Sequence, residues 1–478
     1  MNPNVLSVVE RDESGYYHQV NFQDGKSHTE NGGHNTATDV AKKNTAYISD
    51  MLVKIFLPAG YPQSVTPGIL LLFQVLNACQ AFCSSLAGLL SSRAVLEGFG
   101  VGDANATATR ALLLTILQDV STRLTTIVGG YWVGSSLYPE AKTYRFVADI
   151  LIDAAIVLET FLPVFTSPSF PLQIPGLRIC ILCISSSLRS MCGVSAGGSK
   201  AAITLHFATP TSGTGDVGDL NAKDSSKETI LALFGMLLGS FIVPHLTTST
   251  STYGMLFLLV GLHLTINYAG VKGLQLRTLN RQRAAIAWAK YRSGHEQYVL
   301  TPAQLSIEER IFESPGMIRD ALGQIIGHCT IGSSLSEISR SSAIIPDIDL
   351  FSKKKYILLF DSQCLSSSLE PGCTLNRRPL LHICLKEGYG HLDQLEAWIH
   401  AAEVCRVVAE SHGKPSGTPF DCLEKAYRQV SRRFPHFFDA LQSAGWRTSE
   451  CALLTGPPRG VLTSIESTNG HKSNAKLE

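Results

Sequence analysis

From Leu57 to Ser92 the chain has no aspartate, glutamate, lysine or arginine, and the 43 residues from Thr229 to Val271 have none either. Over all 478 residues the charged types reach 17% and the net charge is +1, so no global basic field points to nucleic acid. Residues 1–50 lack the apolar core of a signal peptide and the arginine-rich, acid-poor bias of a transit peptide. Their serine, asparagine, glycine and histidine content reads as a disordered polar tail. The twelve cysteines form no disulfide framework. Several (Cys79, Cys83, Cys180, Cys183, Cys192) sit inside apolar runs, as buried reduced thiols do. Cys180 and Cys183 have CxxC spacing but no second pair or nearby histidine, so no zinc site is expected.

Long uncharged runs need a lipid or a very large core, and their lengths match a bilayer of about 30 Å. After the proline-broken entry loop Phe56 to Gly68, Ile69 to Ser92 reads as the first spanning helix, with Ser84, Ser85, Ala87 and Gly88 as a small packing face. The connector Val95 to Arg110 holds Gly98, Gly100, Gly102 and Asp103, a tight turn without the strand or GK[ST] signature of a phosphate loop. A second helix is expected over Ala108 to Tyr131, with Arg110, Asp119 and Arg123; the last two are one turn apart and can pair. A fourth, about Ile174 to Leu205, carries Arg178, Arg189 and the run Cys192 to Ala202. In that run Gly193 and Gly197 fit either a close helix contact or an anion nest beside Lys200. Asp224 or Ser225 with Glu228 suits a capping box before the next helix. The run Thr229 to Val271, split by Thr247 to Thr252, reads as a transmembrane hairpin in which His245, His263 and Asn267 tie helices together.

The third helix, Arg145 to Phe165, is the anomaly. Its twelve Leu, Ile, Val and Phe residues favour insertion by about 4–7 kcal/mol, whereas Asp149, Asp153 and Glu159 oppose it by up to about 8–10 kcal/mol. Such a helix needs partners. At about 3.6 residues per turn Asp149 and Asp153 share one stripe, with Glu159 roughly 80–120° away. Intramembrane ionisable groups commonly line a pathway, so the candidates for a substrate or ion pathway are Asp149, Asp153, Glu159 and Asp119 opposite Arg110, Arg123, Arg189 and Lys200, with Asp103 at the connector. Convergence of the carboxylates on a cavity favours a carrier; a dry interior with every charge paired favours a scaffold.

Lysine and arginine fall on alternating sides of the spans: Lys142, Arg145, Lys200, Lys223, Lys227 and the run Arg277 to Arg292 on one, Arg93 and Arg110 on the other. The positive-inside rule then puts both termini in the cytosol, and the sequon at Asn105 on the far side. From about His295 the composition is that of a soluble domain, with strands expected at Lys355 to Asp361, Pro379 to Lys386 and Cys451 to Pro457 and amphipathic helices at Leu392 to Glu410 and Phe420 to Ala444. The run HICLKEGYGH has too few acid or ligand groups in a recognisable spacing to argue for catalysis. The expected fold is mainly α: a multi-pass membrane bundle of about six helices over residues 51–292, a small cytosolic α/β domain over 293–463, and a disordered tail over 464–478.

Several runs together resemble the root UV-B sensitive family, also described as the vitamin B6 photoprotection and homeostasis family: GYPQSVTP (Gly60 to Pro67), QAFCSSLAGLL (Gln80 to Leu90), GVGDANATATRA (Gly100 to Ala111), KTYRFVADILID (Lys142 to Asp153), GVSAGGSKAAITLHFA (Gly193 to Ala208) and DLNAKDSSKET (Asp219 to Thr229). The chain departs from that family's pattern at Gly68 and at Val120-Ser121-Thr122. The resemblance implies a multi-pass membrane protein linked in plants to light responses, auxin transport and vitamin B6 status. No nucleophile and base stand together as a set, and Lys200, Asp149 and Gly197-Gly198 do not make a pyridoxal phosphate site. The expectation is therefore a non-enzymatic protein without a cofactor. It is a carrier of a small anion or a scaffold acting through its C-terminal domain, embedded in lipid and partnered by a paralogue or a second copy.

Overall fold

The computed structural model describes residues 5–11, 17–23, 26–28, 55–59, 61, 64–66, 70–98, 107–165, 167, 176–210, 215–294, 298–340, 348–361, 378–410 and 419–463. The chain divides into two units, Met1–Leu276 and Arg277–Glu478.

The first unit is a helical bundle: α1 (Leu70–Gly98), α2 (Ala108–Val133), α3 (Ala141–Thr160), α4 (Leu177–Phe207), α5 (Val217–Ile242) and α6 (Ser249–Gly273). All but α3 are long and apolar enough to cross a membrane; α3 is excluded by its own charges. α1 packs against α5, α6 and α3, α3 against α4 and α6, and α2 chiefly against α4. The hairpin α5–α6 breaks where expected, because the Thr248 hydroxyl accepts from Ser251 N at 3.2 Å and starts α6. α3 ends at Thr160, and Pro163 sits in the short helical turn Leu162–Phe165 that follows.

Three expectations change. Asp224 and Glu228 do not cap α5. Asp216 does, accepting from Gly218 N at 2.7 Å and Asp219 N at 3.1 Å, which leaves the supposed capping box inside the helix. Gly193 and Gly197 make neither a nest nor a contact: their N–H groups lie within the continuous helix α4, and an added Cβ meets nothing within 4 Å at either. The close approach falls at Gly198, against Leu137. In α5, by contrast, Gly235 and Gly239, at GxxxG spacing, do make a close helix contact: a Cβ on Gly235 would lie 2.7 Å from Phe82 O and one on Gly239 would run into Leu89. Finally, residues 1–50, expected as a featureless tail, contain β1 (Val5–Arg11), β2 (Tyr17–Gln23) and β3 (Lys26–His28) as an antiparallel meander. Leu6 faces Phe22 and Val8 faces Val20 in its register. A short apolar–polar alternation there is outweighed, in a composition average, by the polar residues around it.

The second unit starts earlier than the expected 293. β4 (Thr278–Asn280) and α7 (Arg281–Ser293) belong to it. The basic run is thus not a free juxtamembrane segment: Arg283 is buried with Nε 2.8 Å from Glu309, and Arg292 reaches the fully buried Glu403 at 3.2 Å. After the short helix α8 (Pro302–Glu308) come β5 (Met317–Arg319) and β6 (Ile325–Ile331). These join β7 (Tyr356–Phe360), β8 (Leu380–Lys386) and β10 (Val461–Leu462) in a mixed sheet centred on β8; β9 (Arg447–Ala452) pairs with β4 in parallel. Helices α9 (His391–Glu410) and α10 (Pro419–Ser443), with α7, cover a core around Trp288, Trp398, Phe437 and Leu358. The two expected helices and first two strands are present. The strand expected at Cys451 to Pro457 is instead Arg447–Ala452.

Candidate functional site

The helical period of α3 decides the site. Its inward stripe carries Arg145, Asp149 and Asp153, one turn apart, against α1 and α6. His263 of α6 stands between the two aspartates, with Nδ1 2.8 Å from Asp153 Oδ2 and Nε2 3.8 Å from Asp149 Oδ2. Arg145 closes the set from the other side, Nη1 lying 3.0 Å from Asp149 Oδ1. Its Nη2 donates to Asn77 Oδ1 at 2.7 Å and Gln80 Oε1 at 3.4 Å, both on α1. From Asn77 the chain of contacts runs to Glu228 of α5, from Glu228 to Lys200 of α4 at 2.8 Å, and from Lys200 to Asp224 at 3.1 Å. Lys227 reaches Gln74 beside it. A polar ladder therefore links α1, α3, α4, α5 and α6 at the end of the bundle where α3 begins, and descends to Asp153. A cavity of about 20 Å³ lies alongside it, lined by Gln74, Asn77, Arg145, Lys200 and Asp224. That is room for about one water.

A second node lies toward the other end. Glu159 receives Arg189 Nε at 2.9 Å and a second bond from Nη2, a fork that also holds the Ser91 hydroxyl. Between the nodes runs an apolar layer of Leu86, Leu90, Ile156, Leu256 and Leu259. The two charge centres are thereby separated.

Charge counting shows what the upper node needs. Arg145, Asp149 and Asp153 sum to one negative charge if all are ionised, and an uncompensated charge in so dry a place is costly. One proton, on His263 or shared with a carboxyl, makes the set neutral. Asp149 Oδ2 and Asp153 Oδ1 have no hydrogen-bond partner among the described residues and stay available to it. The thiols of Cys83 and Cys192 lie within electrostatic reach of this set. The arrangement can hold and hand on a proton.

Of the residues expected at the site, Asp149, Asp153, Glu159, Arg189 and Lys200 are in these two nodes. Asp119 and Arg123 are not: they pair with each other at 2.8 Å on the outer face of α2, 57% and 74% exposed. Arg110 lies in α2 without a described side chain, and Asp103 and Asn105 lie outside the described residues. Sequence reasoning passed over Asn77, Gln80, Ser91, Asp224 and Glu228 as site members, and named His263 only as a tie between helices. The signal for the uncharged ones was a polar side chain inside an uncharged run, which is the place where an ion-pair partner is hardest to supply otherwise.

The second unit has a cavity of its own, about 440 Å³. Thr330 Oγ1 stands 2.7 Å from His382 Nδ1 and 2.7 Å from Ser333 Oγ, and His382 Nε2 is 3.4 Å from Asp361 Oδ2. With Asp361 ionised, Nε2–H donates to it, Nδ1 accepts from Thr330, and Thr330 accepts from Ser333. The residues come from β6, β7 and β8 and the loops after them, so no local spacing near HICLKEGYGH announced the group. Among the described residues no group of three His, Cys, Asp or Glu is placed to hold a metal ion.

A family model described as the vitamin B6 photo-protection and homoeostasis domain matches residues 42–294, which contain the whole polar ladder. Over 405 residues, 83% of each chain, the sequence is 31% identical to "Protein root UVB sensitive 3" of Arabidopsis thaliana. This chain belongs to the root UVB sensitive family. It is also 34% identical over 280 residues to "RUS family member 1" of Dictyostelium discoideum, a match that spans 58% of this chain and half (50%) of that protein. To "Protein root UVB sensitive 2, chloroplastic" of Arabidopsis it is 26% identical over 84% of this chain and 83% of that one. No solved structure matches. Apart from Arg281, the residues lining the second unit's cavity fall outside the span of the family model.

Proposed function

We propose that this root UVB sensitive family member is an integral membrane protein, both termini cytosolic, that acts as a proton-linked carrier of a small anion connected with vitamin B6 status. The observation that carries this reading is His263 held between Asp149 and Asp153: a buried set that is neutral only with a proton aboard, at the inner end of a polar ladder lined by Arg145 and Lys200. Large apolar side chains on the outer faces, such as Leu124, Ile127, Phe234, Phe241 and Phe257, support lipid as the surroundings. The apolar layer around Ile156 supplies a barrier between the ends of the bundle. Arg145 and Lys200 line the small cavity already paired with Asp149, Asp224 and Glu228, so an anion would have to displace those carboxylates; the family description directs attention to B6 vitamers.

A second reading, a membrane scaffold or regulator working through the C-terminal domain, draws on the same interior: Glu159 is fully engaged by Arg189, and the cavity holds about one water. Metabolite profiling separates the two. Cells lacking the protein accumulate or lose a small anion on the carrier reading, and complementation with Asp153→Asn at normal abundance fails to restore its level. Full restoration by that variant favours the scaffold.

A further inference from the structure

None of the described residues covers the outer face of α2. Only 6% of its apolar window is buried, and Asp119 and Arg123 lie either side of the midpoint of this 26-residue helix, largely exposed. Resting on the membrane reading above, that midpoint lies deep in the bilayer, where a lipid-facing ion pair is costly and polar groups normally face protein. The pair shares one side of α2 with Leu112, Ile116 and Gly130, all exposed and spaced along the helix at intervals of four, three, four and seven residues, whereas Thr126 on the same line bonds Ser190 of α4 at 2.7 Å. Those intervals are the seam spacing of a helix that packs lengthwise on another helix. An added Cβ at Gly130 meets none of the described residues within 4 Å, so the seam also offers a close approach.

We infer that this seam docks on the same seam of a second copy, α2 beside α2 about a two-fold axis along the membrane normal. Self-complementarity selects that occupant. In a two-fold parallel pair each position meets its own kind at the same depth, and an acid one turn from a base then lies diagonally across from the partner's base. Asp119 of each copy reaches Arg123 of the other, giving a closed, neutral ring of four charges shielded from lipid. A partner of different sequence needs its own matching acid and base at that depth; a second copy has them by construction. In this arrangement α4, with Arg189, stands behind α2 in each protomer and the polar ladder stays inside its own bundle.

The test uses two differently tagged full-length copies expressed together, extracted in mild detergent and captured by one tag. Wild-type copies are captured with each other. Asp119→Arg with Asp119→Arg gives an all-basic seam on both sides, and Arg123→Asp with Arg123→Asp an all-acidic one; in each case capture falls about tenfold. Asp119→Arg combined with Arg123→Asp restores it. Each single variant loses the internal ion pair equally, so recovery in the mixed combination reports a contact between copies. Gly130→Leu adds bulk on the seam where the chain's own fold has room, and it lowers capture with membrane insertion unchanged. Wild-type copies that insert in the membrane but are not captured with each other overturn the inference, as does capture insensitive to the charge variants. Failure to insert contradicts the membrane reading instead, and is read separately by resistance to alkaline extraction.

Discussion

His263 Nδ1 lies 2.8 Å from Asp153 Oδ2, and this contact brings a helix with no charged residue before its last turn to the charged face of α3. The histidine is the only contact that Asp153 makes to a titratable base among the described contacts, whereas Asp149 has both Arg145 and His263. The contact of Asp153 with α6 therefore depends on His263 staying in place.

His263→Gln removes the base that bridges Asp149 and Asp153, leaving one aspartate either protonated or charged without its partner, and is expected to destabilise the bundle by about 3–5 kcal/mol, the usual cost of removing one member of a buried pair. Adding Asp153→Asn removes the surplus charge and recovers most of that loss. Thermal unfolding in detergent of the two single variants and the double variant checks this. Strictly additive losses contradict a shared charge balance.

Glu159→Gln breaks the fork with Arg189 while keeping side-chain volume and a hydrogen bond to Ser91. Because the Arg189 side chain is 39% exposed and partly solvated, the expected loss is about 2–3 kcal/mol, at the lower edge of the buried-pair range. The melting temperature of the purified protein reports it; an unchanged melt removes this node from the account.

Gly235→Ala is expected to cost about 1–3 kcal/mol, since its Cβ would lie 2.7 Å from the backbone oxygen of Phe82 on α1 and neither backbone can yield easily. Gly261→Ala on α6, where nothing lies within 4 Å, is the control and is expected to be neutral or slightly stabilising. Equal effects at the two positions contradict the packing of α5 on α1.

His400, in the C-terminal domain, accepts from the Tyr356 hydroxyl at Nδ1 (3.3 Å) and donates from Nε2 to Leu423 O (3.4 Å). Burial pushes its pKa down to about 4. The unfolded imidazole takes its proton near pH 6.5 (~6.5). Between these values the unfolded chain binds the extra proton, so the contribution of His400 is complete above about pH 6.5 and is lost as pH falls through about 4, amounting to about 3 kcal/mol. Trp288, Trp398 and Trp446 report unfolding of this domain by fluorescence. His400→Gln is expected to flatten the stability–pH slope in that window; an unchanged slope contradicts the assignment.

What could be read from sequence was what one helix decides alone. The shared stripe of Asp149 and Asp153 follows from helical period, and both do meet one partner. The pairing of Asp119 with Arg123 is equally local and equally present. Which way that pair faces was not legible, because α2 is apolar almost all round and no stripe marks the side that meets α4. Asp224 and Glu228 were read as a cap for want of a view of Asp216 as the stronger competitor, and of Lys200 across the interface. Asn77, Gln80 and Ser91 carry no charge, so the one signal they gave was a polar side chain inside an uncharged run, which does not say what it pairs with. In the second unit the grouping of Thr330, Asp361 and His382 arises from the order of strands in the sheet, which their spacing along the chain does not reveal.

The central claim is that a proton held by His263, Asp149 and Asp153 is coupled to movement of a small anion. The most direct test is uptake of isotopically labelled B6 vitamers, pyridoxal phosphate among them, into vesicles reconstituted with the full chain, with and without an imposed pH gradient. The account predicts uptake that rises with the gradient and is abolished by Asp153→Asn in protein that still inserts and melts normally. Uptake no greater than in empty vesicles for every vitamer, or uptake indifferent to both the gradient and Asp153→Asn, contradicts it.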